Sequence, residues 1–168
     1  MLRLVSILLL AATVAACDDD PSSPPATDES LTRDLAALTR VTTPFHQIEA
    51  AGGAGWSARI TGCMSHPGAG GMGFHYGNPE IIDGAVAVEE PELLVYEPQP
   101  DGSMQLVAVE YIVPIDAWSS KQPPRLFGRD FKVNEEFQVW ALHVWLWKHN
   151  PAGLFADWNP LASCDAAV

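Results

Sequence analysis

Positive charge is scarce in this sequence. Nine Lys and Arg stand against 21 Asp and Glu, the net charge is −12, and the nine do not cluster. A nucleic-acid partner held by a basic patch is therefore excluded. Acidity favours solubility and attracts cations without specifying a partner. Cysteine is also sparse, at three, and no two are spaced C-x-x-C, so a thiolate zinc site has little to build on. No Lys-Ser/Thr follows the glycines, as a phosphate-binding loop requires, and there is no G-x-S-x-G nucleophile elbow. The metal-ligand spacings H-x-H and H-E-x-x-H are both missing. Gly68, Gly70 and Gly73 do spell G-x-G-x-x-G. Pro67 precedes them, however, and Gly77-Asn78-Pro79 would break a following helix, so the strand-to-helix context of a dinucleotide site is lacking. Neither an internal repeat nor a second linker is visible.

What is present begins with an export signal. Arg3 supplies a positive start, and residues 4–14 form an apolar run centred on Leu8, Leu9 and Leu10. The run is too short to span a bilayer, which takes about 20 apolar residues. Val14-Ala15-Ala16-Cys17 then resembles the lipobox of bacterial lipoproteins. The resemblance implies removal of residues 1–16, a diacylglycerol on Cys17, and a membrane partner reached through that lipid anchor. The alternative is an ordinary secretion signal with Cys17 free, although an exposed thiol in an oxidising compartment is a liability. Either way the expected location is the cell envelope, outside the cytoplasm. Asp18, Asp19 and Asp20 suit an inner-membrane retention signal, but the choice between inner and outer membrane stays open. Residues 17–30 are rich in Asp, Pro and Ser and should form a disordered tether. Residues 31–168 have the size of a single globular domain.

Within that domain, Ser30 as a cap with Leu31, Leu35 and Leu38 at helical spacing predicts a first helix. A second is expected over residues 43–51, with Thr43 as cap and Pro44 at the first helical position. Residues 56–61 read as a short strand. Residues 62–79 carry six glycines and two prolines and read as a loop, ending in a short strand over 74–76. Residues 92–97 and 104–113 are apolar runs joined by a turn containing Asp101-Gly102, which predicts a β-hairpin. Residues 137–149 mix helix and strand signals. Val139, Trp140, Val144, Trp145 and Trp147 favour the strand, with Trp145 and Trp147 on one face and Trp140 on the other. The tail from Leu154 to Cys164 should pack on the sheet. Cys63 and Cys164 should pair outside the cytoplasm and close a loop of about 100 residues, a constraint of up to about 4.7 kcal/mol. The fold class is α+β: N-terminal helices packed on a mostly antiparallel sheet, in one domain.

The histidines are the best lead to a function. Glu110 lies between Val109 and Tyr111 in a strand apolar on both faces, and a buried carboxylate needs a cation, a donor network or a metal. His75, Glu110 and His143, joined by His66 or Glu97, make a candidate metal site drawn from separate elements. Zinc, copper and iron all suit imidazole, and Met64 and Met72 beside His66 add soft donors that copper prefers. The plainer reading makes His75 and His143 hydrogen-bonded core residues, with Glu110 paired to Arg125 or Arg129. On these residues the chain is a metal- or small-ligand-binding envelope protein. A metal-assisted enzyme and a purely structural envelope protein are the alternatives.

GMGFHYGNP, LLVYEP, LVAVEYIVP and LHVWLWKHNPAGLFADWNP together resemble a family of secreted bacterial proteins of unassigned function. In that family a helix like TPFHQIEAAGGAGW leads into a GMG-x-H-Y-x-NP loop. The resemblance covers most of residues 43–164. It implies a shared fold and a shared site around His75, and it brings no reaction with it. The GFHYGNP stretch departs from the metal-binding spacing of cupins.

Overall fold

The computed structural model describes residues 28–167. The expected export signal, Cys17 and most of the expected tether lie outside the described residues. Helix α1 runs from Asp28 to Thr42, so residues 28–30 are helical rather than tether, and Ser30 sits inside the first turn. Asp28 and Glu29 complement the helix dipole there. Leu38 is fully buried, and Leu31 and Leu35 pack beside it.

The expected second helix is divided. Thr43–His46 is a single 3-10 turn, Gln47 is extended, and helix α2 occupies Ile48–Gly53. Pro44 lacks the N–H that would continue the ladder of α1. Thr43 does not cap; its hydroxyl donates back to the Thr39 carbonyl at 2.6 Å.

Among the described residues nine strands follow: β1 (Ala58–Arg59), β2 (Met64–His66), β3 (Gly70–Gly77), β4 (Leu93–Pro98), β5 (Met104–Pro114), β6 (Arg125–Leu126), β7 (Arg129–Asp130), β8 (Lys132–Asn134) and β9 (Val139–Val144). The main sheet has the order β1-β3-β4-β5-β9-β8, with β2 also paired to β3, and every pairing is antiparallel. β6 and β7 form a separate two-stranded ribbon. The fold is thus the expected α+β domain, with helices on a mostly antiparallel sheet. The hairpin of β4 and β5 stands as read. Residues 137–149 contain a strand, but it ends at Val144. The chain then turns, so Trp145 and Trp147 do not share a face. Trp147 joins Trp140 against the helix-side core, and Trp145 packs on the other side.

The glycine-rich segment is the main departure from expectation, because an eight-residue strand occupies what read as a loop. Its glycines serve close approach. A Cβ on Gly70 would lie 2.0 Å from the Asn159 carbonyl oxygen, and one on Gly73 would lie 2.4 Å from that of Tyr96. Glycine in a strand often marks such contact of backbone with backbone.

The sheet has two unlike faces. Leu94, Tyr96, Leu106, Val109, Tyr111, Leu142 and Val144 turn toward α1 and α2 and form the larger core. Tyr96 and Tyr111 reach through it and donate to the carbonyls of Phe45 and Val88, each at 2.6 Å. A register shift at Val95/Tyr96 leaves Val107 as an extra residue on β5. That bulge keeps Leu106 and Val109, three apart, on one face. The opposite face holds a smaller core of Val95, Val107, Ala108, Trp145 and Ala162.

The C-terminal tail crosses this second face, as expected. Gly71 and Asn159 exchange backbone hydrogen bonds of 3.1 and 3.0 Å. Cys63 and Cys164 form a disulfide with a Cα–Cα distance of 5.8 Å, closing a loop across 101 positions.

Candidate metal centre

Three strands bring the site together on the face away from the helices. Glu110 on β5 is the direct cross-strand partner of His143 on β9, and of Leu93 on β4. His75 on β3 pairs with Val95, one diagonal step away, and its long ring reaches back across β4. His75 Nε2 lies 3.3 Å from His143 Nε2 and 3.4 Å from Glu110 Oε2, while His143 Nε2 lies 3.9 Å from Glu110 Oε1. One donor atom from each of the three falls within 4.8 Å of the others. An ion bound tetrahedrally at 2.0–2.1 Å places its ligand atoms about 3.3–3.4 Å apart, so two of these spacings already match. Two imidazoles and a carboxylate are a donor set suited to Zn²⁺ or Fe²⁺.

The surroundings aim the rings at this point. Thr61 Oγ1 is 2.8 Å from His75 Nδ1. With the hydroxyl accepting from Nδ1–H, the Nε2 lone pair is left for the cluster. The His143 ring stacks on Trp145 at 5.4 Å and 28°. Its Nδ1 is buried without a hydrogen-bond partner among the described residues, so its polar contacts run through Nε2 to the cluster.

Burial sets the charges. His75 is only 2 % exposed, and desolvation lowers its pKa to about 4. His143 is lowered well below its ordinary value, first by burial and then by the charges of His75 and Lys132. Glu110 is raised to about 8, mainly by burial and secondarily by the Asp157 carboxylate. At neutral pH all three groups are therefore uncharged, and among the described residues no Lys or Arg pairs with Glu110, the nearby Lys132 being taken by Asp157. A divalent ion would release the Glu110 proton and find two neutral imidazoles ready to coordinate.

Two candidates stand apart. His66 is exposed on β2, its ring 5.5 Å from that of Trp158, and it does not enter the cluster. Glu97 is buried on β4, but it pairs with Lys148 at 2.8 Å and accepts from the Ser163 N–H at 2.8 Å. Its task is to fasten the C-terminal tail. The arginines considered as partners for Glu110 are also engaged elsewhere. Arg125 pairs with Asp130, and Arg129 lies over the Phe155 ring.

Sequence reasoning missed Thr61, Trp145 as a stacking partner, and a second buried acid, Glu92. Glu92 accepts from the Ile112 N–H at 3.1 Å, and its pKa is raised to about 8, chiefly by burial. Glu92 precedes an apolar run as Glu110 interrupts one, and that was a usable signal. Nothing in the sequence connects Thr61 to His75.

The fold and the cluster together define an α+β domain with a buried two-histidine, one-carboxylate constellation. Comparison with family models, curated proteins and solved structures finds no significant match to the chain.

Proposed function

We propose that this protein is a lipid-anchored envelope protein whose domain binds one divalent transition metal ion through His75, Glu110 and His143. The observation that carries the metal reading is that one donor atom from each of two buried imidazoles and one partly exposed carboxylate lies within 4.8 Å of the others, the two Nε2 atoms being 3.3 Å apart. Support comes also from the contact of Thr61 with His75, and from the lack, among the described residues, of a Lys or Arg ion pair to Glu110, the neighbouring Lys132 being paired with Asp157. Zn²⁺ and Fe²⁺ suit the donors better than Cu⁺, because imidazole and carboxylate are harder ligands than the thioethers of Met64 and Met72, which line the neighbouring cavity. A catalytic use of the ion is the second reading. It is favoured by the placement of all three donors on one sheet face, which leaves the far side of an ion open.

Elemental analysis of protein purified without chelators tests the metal. About one equivalent of a transition metal is expected in the wild type. None is expected in a folded His75→Ala/His143→Ala variant. A wild type that takes up no metal even on reconstitution would overturn the proposal.

The anchor rests on Val14-Ala15-Ala16-Cys17 alone. Among the described residues, no helix is long and apolar enough to cross a membrane. A Cys17→Ser variant should leave the membrane fraction for the soluble one, and its retention on the membrane would remove the lipid from the account.

A further inference from the structure

Two cavities meet at Glu110, and they differ in character. One, of about 190 Å³, has mixed walls and holds Lys132, Asp157 and Asn134 beside His143, with Met72, Val133 and Trp158. Lys132 and Asp157 pair across it at 2.9 Å. The other, of about 250 Å³, reaches His75 and Glu110 through walls made largely of Met64, Met72, Leu93, Ile112, Phe137 and Val139. Outside the cluster, Glu136 is the one charged side chain among its lining residues. Leu93 and Ile112 flank Glu110 on the sheet, so the apolar wall begins at the carboxylate itself.

Three features show a built chamber. Met72 and His75 are three residues apart on one strand yet both line it. The left-handed backbone of Gly73 (φ 119°) interrupts the alternation that would separate them. At the mouth, Phe137 and Ile60 are each 43 % exposed, large apolar side chains left uncovered by the fold. Phe137 is held there by a strained turn. Gln138 takes a φ of 55°, its side chain donates to the Glu135 carbonyl, and Asn134 Oδ1 accepts from the Phe137 N–H.

The size and charge of the chamber narrow its occupant. An apolar protein cavity of about 150 Å³ accepts benzene, so about 250 Å³ has room for a six-carbon body and a short polar head. A divalent ion on two neutral imidazoles and one carboxylate carries a net charge of +1. A single negative oxygen head group would neutralise it in this water-poor site. We infer that the apolar cavity binds a small amphiphile, its apolar body against Leu93, Ile112 and Val139 and its anionic oxygen head on the metal ion. This inference rests on the metal reading above.

The probe is a series of alkyl hydroxamates, from acetohydroxamate to octanohydroxamate, titrated into the full-length protein loaded with Co²⁺. The visible absorption of cobalt reports coordination of the head directly. Affinity should rise about fourfold per methylene as the chain fills the cavity, and level off near six carbons. In Val139→Asn, and independently in the surface variant Phe137→Ser, the gain per methylene should fall below twofold. Cobalt uptake with affinities indifferent to chain length would overturn the amphiphile and leave the metal site standing. Failure to take up cobalt would overturn the metal reading, and this inference with it.

Discussion

The two faces of the central sheet are made by the same strands and obey different rules. The helix face buries a continuous apolar layer, in which the hydroxyls of Tyr96, Tyr111 and Thr42 each find a backbone carbonyl. The other face holds two imidazoles and a carboxyl whose polar contacts are with one another and with Thr61, the Trp145 ring stacking on His143. Each group there would be better solvated outside, as the three shifted pKa values record. Stability is therefore concentrated on one face, and the other carries an electrostatic cost that a bound cation would remove. One strand serves both because its side chains alternate: Tyr111 points to the first face and Glu110 to the second.

The sharpest way to break the comparison is to truncate each face in turn. Leu94→Ala should destabilise the domain by about 2–5 kcal/mol in chemical denaturation, whether or not metal is present. Glu110→Leu should leave the metal-free domain within about 1 kcal/mol of the wild type, or make it more stable, while abolishing metal uptake. A large loss of metal-free stability in Glu110→Leu would mean that the cluster is a structural network. A smaller effect is expected from Thr61→Val. It should weaken metal binding by about 10- to 100-fold without changing the stoichiometry, as competition against a chromogenic chelator would show.

The remaining effect is graded and lies in pH. Burial holds Glu92 and Glu110 protonated up to about 8, against 4.5 in the unfolded chain. Their contribution to stability is complete below pH 4.5 and is lost as pH rises through 8. His75 acts in the opposite sense: from 6.5 it falls to about 4, so its contribution is complete above pH 6.5 and lost as pH falls through 4. Thermal midpoints of the metal-free protein should therefore decline on both sides of a plateau at about pH 5–6.5. Glu92→Gln should make the alkaline decline shallower, since its amide oxygen can still accept from the Ile112 N–H. A midpoint that climbs steadily from pH 6.5 to 8 would contradict the burial of these acids.

Much of the fold was legible because its signals are local. The turn around Gly102 and the apolar runs on either side made the β4–β5 hairpin readable. Leu31, Leu35 and Leu38 showed the inner face of α1, and Cys63 with Cys164 made the expected disulfide. The errors fall where a residue answers to a distant neighbour. Glycines 70, 71 and 73 look like a flexible loop until Asn159, Ala162 and Tyr96 are seen pressed against them. β8 is short and largely exposed, and it exists as a strand because β9 offers it an edge. Trp147 looked like a companion of Trp145 until the chain turned after Val144.

The candidate site divides in the same way. The sequence alone determined that Glu110 would be costly to bury without a partner, because an acid stood in the middle of an apolar strand. It also determined which imidazoles were available to help. Only the tertiary structure decided that His75 and His143 are those partners, that His66 stays at the surface, and that Glu97 belongs to Lys148. That choice depends on strand order and register, and register is set by side-chain alternation and by the bulge at Val107, summed over the whole sheet. A one-residue slip of β9 would turn His143 to the helix face and empty the cluster, and no spacing within the chain records that it does not.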